Sequence, residues 1–172
     1  MAKLQKMIKT DPGNAAKYYY EMANGLYNTS YYGVAWFYTA YHWADEDKYQ
    51  NNRYYYDRDY LRERTAESWF LKAGQLGTDR EFKAKCYFMA AKCRQKKTGV
   101  PGDTEEQFSA YKLGFDYKAS PVVKRYSMTI RQNPYFSLLK NHYSKTKFYK
   151  TAVSECSYFR DFLASAERHV KK

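Results

Sequence analysis

Apolar positions recur along this chain at spacings of three and four, and they do so twice in nearly the same form. Tyr19, Met22, Ala23 and Leu26 make one stripe, and Cys86, Met89, Ala90 and Cys93 repeat it 67 residues later. Such spacing places its members on one side of an α-helix. Two helical hairpins of about 34 residues each would carry a helix about 68 residues onward, so the offset predicts a stack of paired helices.

Helix breakers divide the rest of the chain. The turn at Asp11, Pro12 and Gly13 ends a first helix over 3–10, with Asn14 placed to cap the next. The pattern then predicts helices over about 15–29, 31–45, 52–76, 79–97, 104–118, 134–143 and 147–168. Tyr56, Tyr60, Ala66, Phe70 and Ala73 share one side of the 52–76 helix. Gly77 is expected to end it in a left-handed conformation, with Thr78 or Asp79 capping the 79–97 helix. Residues 98–103 read as a loop, and Pro121 and Pro134 mark new starts because proline is tolerated in a first turn and poor inside a helix. Ser144, Lys145 and Thr146 join the last two helices.

Composition narrows the class to all-α. The 172 residues include 21 tyrosines, 10 phenylalanines and 3 tryptophans, so the core must use tyrosine rings as hydrophobes with their hydroxyls led outward. β-Branched residues are too few for a sandwich. No Pro/Gly/Ser-rich linker splits the chain, which is read as one domain over 1–172. No apolar run reaches the ~18–20 residues of a membrane span.

The net charge of +12 lies wholly in residues 61–172, since residues 1–60 carry seven basic and seven acidic side chains. Between 117 and 154 there is no acid and there are eight bases: Lys118, Lys124, Arg125, Arg131, Lys140, Lys145, Lys147 and Lys150. A region so unbalanced suits an anionic partner, although charge runs are more often simply solvated.

Catalytic and metal chemistry find little support. The three histidines, His42, His142 and His169, form no H-E-x-x-H or comparable arrangement, and His42 reads as a packed core residue. Cys86 and Cys93 lie on one helix side and read as small core residues; Cys156 has no cationic neighbour to activate it. The acid pairs Asp45/Asp47 and Asp57/Asp59 lack the glycine and distant glutamate of a calcium loop. The chain is read as non-enzymatic, with no catalytic residue, no metal site and no cofactor.

With these residues in view, the chain resembles the tetratricopeptide (TPR) repeat family. Tyr19, Met22, Ala23 and Leu26, and again Cys86, Met89, Ala90 and Cys93, fit the large-Leu-small-aromatic pattern of that family's first helix. Ala66, Phe70 and Ala73 fit the second helix, as does Ala35, after which Thr39 and His42 depart from the pattern. The segment from Tyr135 through Tyr143, with Phe148, Tyr149, Cys156, Tyr158 and Phe159, is similar to TPR-like repeats of bacterial envelope-associated proteins. The resemblance implies a right-handed superhelix of antiparallel helix pairs, an α-α solenoid, and a place on the periplasmic side of a bacterial envelope, with cytoplasm as the alternative. Because only ten residues precede the hairpin-closing turn at Asp11, it also implies a C-terminal portion of a longer protein.

In this family the first helix of each pair lines the concave groove, which falls here on Lys17, Tyr20, Asn24 and Tyr27, then on Ala84, Tyr87, Ala91 and Arg94. The expectation is a scaffold that binds a protein or peptide segment through a groove of Lys17, Tyr20, Asn24, Tyr27, Tyr87 and Arg94, where flat rings supply area at low entropic cost. The alternative is an anion-binding module, for nucleic acid, an acidic glycan or a lipid headgroup, using the basic stretch 118–150. It ranks second because no nucleic-acid motif accompanies the charge.

Overall fold

A computed structural model describes residues 1–30, 33–35, 38, 64–96, 128 and 130–170. Of the predicted 31–45 helix only residues 33–35 and 38 are described, and 33–35 form a turn in which the Ala35 amide donates back to the Asn28 carbonyl at 2.8 Å, not the start of an α-helix. The predicted 104–118 helix, the early part of 52–76, the loop 98–103, His42, Lys118, Lys124, Arg125 and the acid pairs at 45–47 and 57–59 lie outside the described residues. The described residues form helices joined by turns, with no strand among them. Their seven α-helices, in chain order, are α1 (Ala2–Thr10), α2 (Ala15–Thr29), α3 (Arg64–Leu76), α4 (Arg80–Lys96), α5 (Pro134–Tyr143), α6 (Lys147–Glu155) and α7 (Ser157–Val170). None of them is long and apolar enough to cross a membrane.

Side chains set the helix ends. Asp79 accepts the Phe82 amide at 2.7 Å and starts α4. Asn133 accepts the Tyr135 amide at 3.2 Å ahead of Pro134, which needs no donor at that position. Thr146 accepts the Tyr149 amide at 3.1 Å and donates back to the Tyr143 carbonyl at 2.7 Å, closing the turn between α5 and α6. Two expected caps differ. Asn14 donates to Asp11 Oδ2 at 2.9 Å instead of capping α2, because Asp11 also takes the Tyr18 hydroxyl at 2.6 Å and organises the whole turn. Gly77 does not adopt the left-handed conformation. Its smallness is used sterically: a Cβ there would meet the Phe82 ring at 2.7 Å.

Contacts along α4 fix the direction of its neighbours. Glu67 faces Arg94, Gly74 faces Cys86 and Tyr87, and Gly77 faces Phe82, so α3 runs antiparallel to α4. Asn133 meets Ala91, Phe136 meets Phe88, Tyr143 meets Tyr87 and the His142 carbonyl meets Arg80, so α5 also runs antiparallel to it. On the remaining side Tyr20 and Tyr27 of α2 lie under Lys85 and Lys92, and this matched advance makes α2 parallel to α4. The two helices that carry the 67-residue echo therefore run in the same direction, both packed against α3 and meeting each other through the Lys85 and Lys92 side chains. The N-caps Asp79 and Thr146 stand 67 residues apart as well.

Two cores result. Ala23 and Tyr27, Ala66 and Phe70, and Ala90 and Cys93 close the space between α2, α3 and α4. Ala84, Phe88 and Ala91 join Phe136, Leu139, Ala152, Phe159 and Phe162 on the other side of α4. The alanines let helices approach while the phenylalanines fill the gaps beside them. The predicted 147–168 helix breaks at Cys156, whose backbone is extended. Arg160 satisfies the freed carbonyls, donating to Val153 at 3.2 Å and Ser154 at 2.6 Å. The break turns Phe159 back onto Tyr149 and Phe136, at ring separations of 5.3 and 5.0 Å.

Candidate functional site

The seam between α2 and α4 holds the most organised set of surface groups. Tyr20 wedges between the rings of Phe70 and Phe82, at 5.4 and 5.5 Å, and its free side takes the Lys85 ammonium at 5.0 Å. One heptad on, Tyr27 is buried in the core and the Lys92 ammonium lies 5.3 Å from its ring centre. Each cation rests on the negative face of an aromatic ring, an attraction of about 0.5–1 kcal/mol at an accessible site. Lys17 is exposed, 3.9 Å from Glu21, and Asn24 sits half-buried between the two tyrosines in sequence.

This geometry divides the predicted groove set. Lys17, Tyr20, Asn24 and Tyr27 share α2, but Tyr20 and Tyr27 act as packing residues whose rings are covered. Tyr87 and Arg94 belong to other sides of α4. The Tyr87 ring lies against Gly74 and 5.6 Å from Tyr143, where burial raises its pKa. Arg94 Nη1 lies 4.0 Å from Oε1 of the buried Glu67, and Tyr135 stands beside that carboxylate with its pKa raised, first by burial and then by Glu67. The predicted neighbours Ala84 and Ala91 are fully buried where α5, α6 and α7 pack. On the side of α4 toward α2 the accessible stripe is displaced by one residue and consists of the exposed Lys85 and the half-buried Met89 and Lys92, while Arg94 is exposed elsewhere on the helix. The signal for it is the match between Tyr20/Tyr27 and Lys85/Lys92, two heptad-spaced pairs 65 residues apart.

Of the described members of the basic stretch, Lys140, Lys145, Lys147 and Lys150 lie in and beside the α5–α6 turn while Arg131 lies before the opposite end of α5, and they form no closed site. Arg131, Lys145, Lys147 and Lys150 are exposed and Lys140 is half-buried. Beside them an open hollow of about 580 Å³ is lined by Arg80, Leu138, Asn141, His142, Tyr143, Ser144 and Lys145. Its strongest donor is already engaged: Arg80 Nη2 gives a 2.6 Å hydrogen bond to the His142 carbonyl and stacks over Tyr143. The adjacent Glu81 accepts the Lys147 and Phe148 amides, both at 2.8 Å, and occupies the N-terminus of α6, where an anion would otherwise bind.

Nucleophiles fare no better. Cys86 is fully buried and its thiol is pushed up to about 12 by that burial, so at neutral pH it is a protonated core residue. Among the described residues no group of three His, Cys, Asp or Glu side chains is arranged to hold a metal ion. No family model, curated protein or solved structure matches the chain.

Proposed function

We propose that this protein is a non-enzymatic scaffold of TPR-like helix pairs, wound as a right-handed solenoid, that binds a protein or peptide segment along the face shared by α2 and α4. The observation that carries the reading is the parallel register of those helices, with Tyr20 under Lys85 and Tyr27 under Lys92, and α3 packed antiparallel to α4. Parallel first helices backed by antiparallel second helices are the arrangement that leaves a continuous surface for an extended chain. With the same resemblance goes a proposed setting on the periplasmic side of a bacterial envelope, cytoplasm being the alternative.

The test is to pan a random peptide library against the full chain and to map the hits by backbone amide NMR. Shifts confined to α2 and α4 support the scaffold reading. Shifts centred on 140–150, together with affinity that collapses with salt, favour the anion-binding alternative. The scaffold reading falls if no peptide binds.

A further inference from the structure

We infer that the α2–α4 seam selects an extended acidic peptide whose side-chain carboxylates are three residues apart. This deepens the scaffold reading and rests on it. Lys85 and Lys92 are separated by two helical turns, which at ~1.5 Å per residue is ~10.5 Å along α4. A peptide in the extended polyproline II conformation returns to the same side every three residues and rises ~9.3 Å in doing so, so carboxylates at its first and fourth positions face the seam together and reach both ammonium groups. The helix supplies the spacing and the peptide matches it.

Three observations favour this occupant. Among the described residues neither Lys85 nor Lys92 has a carboxylate within 4 Å, whereas Lys17 has Glu21 and Arg94 has Glu67. Both ammonium groups are held over rings, and Tyr20 and Tyr27 are themselves fixed by packing, so each cation is positioned before a ligand arrives. The exposed carboxylate of Glu21 on α2 opposes a continuous polyphosphate backbone but leaves room for two discrete acids. Recognition is of internal side chains and requires no free C-terminus.

The experiment measures fluorescence anisotropy of the full chain with labelled, C-terminally amidated peptides of one composition: Glu-x-x-Glu, Glu-Glu adjacent, and Glu-x-Glu. The first is expected to bind best. Lys85→Gln and Lys92→Gln, which keep the stems over the rings, should each weaken it about threefold, and together about tenfold. Lys85→Arg with Lys92→Arg should retain it, and Lys85→Glu with Lys92→Glu should transfer preference to a Lys-x-x-Lys peptide. Circular dichroism checks folding, and the arginine pair serves should the glutamine pair unfold. Equal binding of the three spacings, or binding indifferent to both lysines, overturns the inference. So does tighter binding of a uridine oligonucleotide that is lost in the same variants. Non-acidic peptides mapping to α2 and α4 would sink the inference while leaving the scaffold reading in place.

Discussion

The side-chain amide of Asn133 donates to the main-chain carbonyl of Ala91 at 2.9 Å, inside the protein and across 42 residues of sequence. The same side chain accepts the Tyr135 amide and so starts α5 while fastening it to the middle of α4. Asn133→Ala should cost about 2–3 kcal/mol, the sum of a lost cap and a lost buried hydrogen bond. Asn133→Ser keeps a cap acceptor and should lose less. Urea midpoints at constant slope check the ranking, and equal stability of the alanine variant would refute the double role.

Glu81 and Arg80 grip opposite sides of the α5–α6 turn. The Glu81 carboxylate receives two amides at the positive end of α6, and Arg80 donates at the negative end of α5. Glu81→Gln removes the charge and leaves one acceptor oxygen. A loss of about 1–2 kcal/mol is expected, read as a fall of a few degrees in Tm. An unchanged Tm would show that the contact contributes nothing net.

Asp11 and Tyr18 make stability depend on pH at both extremes. The Tyr18 hydroxyl, and after it Asn14, hold the Asp11 carboxyl below its ordinary value of 3.8. Its contribution is therefore complete above that value and is lost as the pH falls through the lowered folded pKa. Tyr18 is raised above 10.0, chiefly by its bond to Asp11, so its contribution is complete below 10.0 and disappears as the pH rises through the raised pKa. Tyr18→Phe should flatten both slopes in unfolding midpoints measured from about pH 2.5 to 6 and from about pH 9 to 11.5.

The cysteines should label in order of access. Cys156 is half-buried at the α6–α7 break, while Cys86 and Cys93 are buried beside α3. Iodoacetamide at about pH 8 is expected to modify Cys156 in the native protein and the other two only on unfolding, as read by peptide mass spectrometry. Native labelling of Cys86 would contradict its packing and its elevated pKa.

Punctuation decided how much of this was legible in the sequence. Helices α2, α4 and α5 stand where the Asp-Pro, Gly-Thr-Asp and Asn-Pro breaks put them, within a residue or so. The break at Cys156 has no glycine or proline to announce it; Phe159 seeking Phe136 and Arg160 seeking two carbonyls create it through tertiary contact. Tyrosine runs hide helix phase, and so Tyr18, not Tyr19, is the buried member of its triplet. The groove stripe on α4 slipped by one residue for a related reason. The family's pattern places Ala84 and Ala91 in the groove, yet here they are small because other helices press against them. Lys85 and Lys92 become visible only once the register of α2 against α4 is known, and single-helix periodicity does not contain it.

Helix α4 packs against α3, α5 and α6 and meets α2 through its side chains. Its amide hydrogens should be the last to exchange with deuterated solvent, because opening it requires both cores to separate together. The two lysines offered to a ligand thus sit on the helix that joins both described cores, and binding there should register as a fixed ruler does, by rejecting wrong lengths instead of bending to them.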